Sequence, residues 1–103
     1  MTEILTHDQI VEYAYYLVSR LLDINWSPNG KLKLLEAARP YFEQIARAES
    51  EACRRSNDET LTDFERTVAG RDEGILNIAA GLLKDLRQRD EAANGVARLT
   101  GHP

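Results

Sequence analysis

Apolar residues recur every three to four positions over most of the chain, the spacing that places them on one face of an α-helix. The first such stretch opens with Thr6-His7-Asp8-Gln9, in which the Thr6 hydroxyl and the Gln9 side chain can close a capping box. We expect this helix to run to about Ile24. Its predicted core face consists of Ile10, Ala14, Leu17, Val18, Leu21, Leu22 and Ile24, with Val11 beside them.

The second helical stretch is predicted from about Lys31 to Arg55, after a run of turn-forming residues at 25–30. Its apolar side contains Leu35, Ala38, Phe42, Ile45, Ala52 and Cys53. Pro40 removes a backbone donor inside this stretch and disfavours helical geometry at the preceding residue. We therefore expect either a kink or two shorter helices that meet at Pro40.

The third stretch is predicted to begin near Thr60-Leu61-Thr62-Asp63, which resembles a capping box. Its predicted core stripe consists of Leu61, Phe64, Val68, Ile75, Ala79, Leu82, Leu86 and Ala93. Gly70 is a candidate break in this helix, and Asn94-Gly95 is a candidate stop, since glycine adopts the left-handed conformation that ends many helices.

Together these patterns predict an all-α fold, a small antiparallel bundle of three to four helices joined by short turns. One domain is expected over 1–103, with an N-terminal arm at 1–5, the bundle at 6–94 and a flexible tail at 95–103. Hydrophobic residues make up 43% of the chain and charged residues 29%, a composition typical of a chain that packs a core.

The formal net charge of −4 arises in the central part of the chain. Nine acidic residues stand against five basic ones between Glu43 and Glu73, and no basic cluster of the kind that binds a nucleic-acid duplex is present. Direct nucleic-acid binding is therefore disfavoured. The sequence shows neither a signal peptide nor a membrane-length apolar run, and with one cysteine it indicates a cytoplasmic protein.

Residues able to support catalysis or bind a metal are scarce. His7 and His102 have no nucleophile beside them, and no Glu-x-x-His pair of the kind used in di-metal bundles occurs. Cys53 is expected to be a buried core thiol, because it falls on an apolar edge far from a helix N-terminus. We expect neither catalytic activity nor a metal, and no cofactor.

The candidate contact surface combines an aromatic patch with acidic residues. Tyr16 falls opposite the apolar face of the first helix, near Glu12 and Arg20, and tyrosine and arginine are frequent interface anchors. Tyr13 and Tyr15 lie at the borders of the apolar face, where a ring packs inward. The acidic candidates for partner binding are Asp58, Glu59, Asp63 and Glu65, which equally suit a solvated turn and the start of a helix.

Gly70, Gly74 and Gly81 project to nearly one side of the third stretch, with Asn77 beside them. They either break the helix near Gly70 or leave a smooth groove for close packing, including packing against a second copy. Glu49 falls on the apolar side of the second stretch, where it either pairs with Arg71 or is carried to the surface by a change of phase at Pro40.

The leading functional hypothesis is a non-catalytic module, an inhibitor or adaptor that binds a larger protein and competes for its basic, nucleic-acid-handling surface. One alternative is a helix-turn-helix regulator that uses Lys31, Lys33 and Arg39 to bind DNA. The other is a bundle that associates with itself through its glycines, giving a homodimer.

Overall fold

The computed structural model describes the backbone of residues 2–100 and the side chains of residues 2–86. Within that part, every regular element is helical, which confirms the prediction of a small all-α bundle. The elements are α1 (His7–Leu21), α2 (Pro28–Ala38), a 3₁₀ turn (Arg39–Tyr41), α3 (Phe42–Ser56) and α4 (Asp63–Thr100).

The helices pack around one core. Asn77 of α4 meets Glu49 of α3 while Arg66 meets Ser56, so α3 and α4 are antiparallel. The α3–α4 pair is the most extensive contact, and α1 packs against both helices. The core residues they share are Ile10, Val11, Ala14, Leu17, Val18, Ala38, Ile45, Ala48, Ala52, Leu76, Ala79 and Leu83.

The predicted capping box at the start of α1 is present: Thr6 Oγ1 accepts from Gln9 N at 3.2 Å, and Gln9 Oε1 accepts from Thr6 N at 2.9 Å. The predicted end near Ile24 is wrong, because α1 stops at Leu21. The Asp23 carboxylate accepts from the amide of Asn25 at 2.9 Å and turns the chain. Ile24 is consequently 91% exposed, and Leu22 is exposed as well, so neither belongs to the core.

The second stretch begins earlier than predicted and divides at its proline. Helix α2 starts at Pro28, because Ser27 caps it by accepting from the Gly30 amide at 3.1 Å and proline suits the first helical position. Around Pro40 the chain forms the 3₁₀ turn instead of an α-helical turn, which confirms the split at that residue. Cys53 is only half-buried, so its assignment as a core thiol is wrong.

The capping box of α4 begins at Thr62, two residues after Thr60, where it was predicted to begin. Thr62 and Glu65 form the box, with Glu65 N donating to Thr62 Oγ1 at 3.1 Å, whereas the Thr60 amide and hydroxyl donate to Asp58. Glu65 closes the box because its carboxylate reaches back to the Thr62 amide and hydroxyl, which a shorter aspartate does less well.

Helix α4 is continuous from Asp63 to Thr100. It passes through Gly70 and also through Asn94-Gly95, so the predicted stop there is wrong. A glycine disfavours an α-helix by only about 1 kcal/mol relative to alanine, which by itself does not end a helix. Of the tail predicted at 95–103, residues 95–100 belong to α4, and 101–103 lie outside the described residues.

The core face of α4 is rotated from the predicted stripe. The residues it buries are Ala69, Leu76, Ala79, Leu83 and Leu86, while Phe64 is 77% exposed, contrary to the prediction. Ala48 and Ala52 of α3 are buried in the same core. Small side chains at these positions allow the two helices to pack closely. The predicted position of Ala93 lies outside the described side chains.

Candidate functional site

The outward face of α1 carries the predicted aromatic patch. Tyr16 is 48% exposed, in agreement with the helical wheel, and the Arg20 guanidinium carbon lies 5.6 Å from the centre of its ring. This is cation–π distance, so arginine and tyrosine form one solvent-facing unit. Glu12, one turn before Tyr16, is exposed on the same helix.

The neighbouring tyrosines are held against other elements. The Tyr13 ring packs on Tyr41 with 5.3 Å between ring centres, and burial, then the nearby Tyr41, raises the pKa of Tyr13. The Tyr15 hydroxyl donates to Asp72 Oδ1 of α4 at 3.3 Å. Tyr13 and Tyr15 therefore link helices, whereas Tyr16 remains available to a partner.

The four acidic candidates lie together at the turn between α3 and α4, but their surroundings differ. Asp58 is half-buried and accepts from the Thr60 hydroxyl at 2.6 Å and the Thr60 amide at 2.9 Å, and these bonds lower its pKa. Glu65 completes the α4 capping box. Glu59 and Asp63 are exposed, and Asp63 and Glu65 lie in the first turn of α4, where the helix dipole favours acids.

Next to this turn, two arginines converge on one carboxylate. Glu51 accepts from Arg54 at 2.6 Å and from Arg55 at 3.0 Å, and these hydrogen bonds lower the pKa of Glu51 to about 2. Arg54 also lies 3.7 Å from Asp58. The charges of both arginines are thus compensated locally within the last turns of α3.

A cleft of about 350 Å³ opens at this end of the bundle, between the start of α1, the end of α3 and the start of α4. Its apolar wall consists of Leu61, Phe64, Val68 and Ala69. Four carboxylates and two guanidinium groups also line it, those of Asp8, Asp58, Glu65, Asp72, Arg54 and Arg55. The sequence pattern assigned Phe64 to the core, and it did not single out the charged cleft residues Asp8, Arg54, Arg55 and Asp72. The position of Phe64 directly after the Thr62 cap, before the buried stripe begins, was the available signal.

The structure connects this cleft with the aromatic patch. Asp8 lines the cleft, and Glu12, Tyr16 and Arg20 follow it at intervals of one helical turn on α1. All four are exposed. The acidic turn and the tyrosine patch, predicted from separate parts of the chain, therefore border one continuous surface.

The glycine side of α4 is open. Gly70, Gly74 and Gly81 are exposed, and a Cβ atom added at Gly74 or Gly81 would meet nothing within 4 Å. Asn77, beside these glycines, donates to Glu49 Oε1 of the neighbouring helix α3 at 3.0 Å. Glu49 is half-buried, and this amide, rather than Arg71, is its hydrogen-bond partner.

The described side chains offer little to catalysis or metal binding. Hydrogen bonding and charge from Glu73, together with burial, raise the pKa of Cys53, which keeps the thiol protonated and opposes its use as a nucleophile. Within residues 2–86, no cluster of three or more histidine, cysteine and acidic side chains could hold a metal ion. Arg39 lies in the 3₁₀ turn and not on α2, so it does not share a helix with Lys31 and Lys33.

The fold and the surface define this chain as an all-α bundle with a charged cleft at one end. No family model, curated protein or solved structure matches it. None of the helices over the described range is long and apolar enough to cross a membrane.

Proposed function

We propose that this chain is a non-catalytic binding module, an inhibitor or adaptor that docks on a larger protein through the outward face of α1 and the adjoining acidic turn. The observation that carries the proposal is the exposed Tyr16 ring held beneath Arg20. Tyrosine and arginine dominate the energetics of many interfaces, and their stacked arrangement lowers the entropy lost when a partner covers them.

The charges around this patch favour a basic partner. Glu12, Glu59 and Asp63 are exposed close to the same surface, and their field attracts a positively charged protein over longer distances than any direct contact. A protein surface that handles nucleic acid has the complementary charge. Docking there would compete with the polymer for the same basic residues, which is how such a module inhibits.

The proposal includes a cytoplasmic site of action. Cys53 is a free, half-buried thiol, a state that a reducing compartment preserves.

The test is affinity capture from a lysate of the source cells with nuclease treatment, comparing the natural chain with the Tyr16→Ala/Arg20→Ala double variant. We expect one larger protein to be retained by the natural chain and its affinity to fall at least about tenfold in the double variant, since interface anchors contribute 2 kcal/mol or more. Thermal unfolding of the variant should remain near that of the natural chain, because both side chains are exposed.

A matched control is Lys33→Ala, which removes an exposed side chain from α2. It should leave the captured protein and its affinity unchanged. Recovery of partners only through nucleic acid, or equal retention by the double variant, would refute the proposed surface.

Self-association is a second candidate, favoured by one observation on α4. Ile78 is 45% exposed and lies between Gly74 and Gly81, which present no side chain to obstruct a second helix. Small residues beside a protruding aliphatic side chain allow two helices to pack closely.

A further inference from the structure

We infer that the cleft at the α3–α4 end is the docking groove for a basic segment of the partner protein, which places an apolar side chain against Phe64. This rests on the proposed protein-binding function and names the chemistry of the segment that is bound. It concerns residues on α4 and the preceding turn, beyond the Tyr16 patch.

The shape of the cleft suits a side chain from another protein. Its volume of about 350 Å³ lies at the small end of the range for ligand sites, and three separate parts of the chain form its walls. Half-buried Leu61 and Val68, with buried Ala69 beside them, supply an apolar wall that this domain covers only in part. One aliphatic or aromatic residue with its flanking backbone fits such a recess better than a large cofactor does.

Phe64 is the apolar side chain of the cleft that a partner would cover most. It is 77% exposed, although the capping box beside it fixes its backbone at the start of α4. A phenylalanine held in place on a rigid turn loses little conformational entropy when it is covered, and its burial contributes to affinity as aromatic anchors do.

Charge decides what kind of segment fits. The two arginines of the cleft are already paired with Glu51, which lies outside the cleft lining. Asp8, Glu65 and Asp72 have no ion pair with a cation among the described side chains. The rim therefore carries uncompensated negative charge, which favours lysine or arginine beside the inserted apolar residue and repels acidic segments and nucleic acids.

The experiment selects peptides from a random library displayed on phage, using the full chain as bait. We expect selected sequences in which lysine or arginine flanks an apolar residue, and peptide binding that weakens as ionic strength rises. The affinity of a selected peptide, measured by fluorescence anisotropy, should fall about tenfold or more in Phe64→Ala. Glu65→Gln, which keeps a side chain able to close the capping box, should weaken binding about threefold.

Two controls match these variants. Ile24→Ala removes an exposed apolar side chain from the turn after α1, and Glu36→Gln removes an exposed carboxylate on α2, so each should change the affinity less than about twofold. The inference is overturned if no peptide is enriched, if the enriched peptides are acidic or uncharged, or if Ile24→Ala weakens binding as much as Phe64→Ala does.

The outcome separates this inference from the proposed function. Tyr16→Ala/Arg20→Ala leaves the cleft residues unchanged, so it should bind the selected peptide as the natural chain does. If the natural chain captures a larger protein through Tyr16 and Phe64→Ala does not weaken that complex, the basic-segment inference is refuted and the proposed function is not. A chain that binds the peptide but captures no larger protein refutes the proposed function.

Discussion

Gly30 occupies the first turn of α2, directly below the Trp26 side chain. A Cβ atom there would lie 3.1 Å from Ser27 Oγ and 3.2 Å from two atoms of the Trp26 ring. The ring is half-buried and the Ser27 hydroxyl caps the helix, so neither yields without loss. Local packing thus disfavours a side chain at Gly30, whereas Gly74 on α4 has no atom within 4 Å of such a Cβ.

This difference predicts opposite effects of the same substitution. Gly74→Ala should raise the free energy of unfolding by about 0.5–1 kcal/mol, since alanine loses less backbone entropy in a helix. Gly30→Ala should give no gain or a loss, because the displaced Trp26 or Ser27 offsets that benefit. Urea unfolding followed by circular dichroism measures both, and an equal gain from the two substitutions would contradict the described packing.

Phe64 and Leu76 give a second contrast on α4. Leu76 is fully buried among α1, α3 and α4, while Phe64 extends into solvent. We expect Leu76→Ala to lower the free energy of unfolding by about 2–5 kcal/mol through lost burial and a cavity. Phe64→Ala should change it by less than about 0.5 kcal/mol. Chemical denaturation of both variants is the measurement, and a large loss in Phe64→Ala would place its ring in the core.

At the scale of elements, the end of α3 is organised by its charged groups. Glu51 lies one turn before Arg54 and Arg55, and the arginines also stand in the last turn, where the helix dipole favours cations. Asp58 and Thr60 then close the turn that leads to α4. The same residues that hold this turn therefore also shape the cleft.

The depressed pKa of Glu51 predicts an acid-dependent loss of stability. Hydrogen bonds from Arg54 and Arg55 lower this pKa from 4.5 to about 2, so the folded state favours the charged carboxylate. The resulting stabilisation is fully present above the unfolded pKa of about 4.5 and is lost as pH falls toward 2. Carbon-detected NMR of the Glu51 carboxyl should show a midpoint near pH 2.

The matched variants are Glu51→Gln and Glu59→Gln. Glu51→Gln should flatten the dependence of unfolding free energy on pH in the acid range, because it removes the group that titrates differently in the two states. Glu59 is exposed and has no arginine hydrogen-bonded to it, so Glu59→Gln should leave that dependence nearly unchanged. Identical profiles for the two variants would argue against the arginine pairing at Glu51.

At the scale of the whole molecule, α4 gives the domain its length. A helix of 38 residues is about 57 Å long at 1.5 Å per residue, and the molecule measures 61 × 30 × 25 Å. The shorter helices pack along one part of α4, and the N-terminal arm is tied to α3 by Gln44, which accepts from Leu5 N at 2.9 Å and donates to Glu3 O at 2.8 Å.

The exposed glycines of α4 lead to a prediction about assembly. If two copies pack there, Gly74→Leu or Gly81→Leu should change the oligomeric mass, because leucine fills the space a second helix would occupy. Within the monomer, a Cβ atom added at either glycine meets no atom within 4 Å. Light scattering before and after substitution measures this, with Lys33→Leu on α2 as control. A monomer that stays unaltered would eliminate self-association through these glycines.

Local rules determined much of this fold from sequence alone. Helical periodicity, the Thr6–Gln9 capping box and the conflict of Pro40 with helical geometry each depend on neighbours within a few positions, and each was predicted. Tyr16 could be placed on the surface in the same way, since a helix that buries one face must expose the opposite one.

Tertiary structure decided which face of α4 meets the core and where the helices end. Two apolar stripes on α4 satisfy the same spacing, and packing against α1 and α3 buries the one that contains Leu76 and Leu83, leaving Phe64 exposed. The cleft depends on that selection, because its walls come from positions as far apart as Asp8 and Asp72. Contacts between such distant positions depend on how whole helices pack, and the spacing of residues within one helix does not specify them.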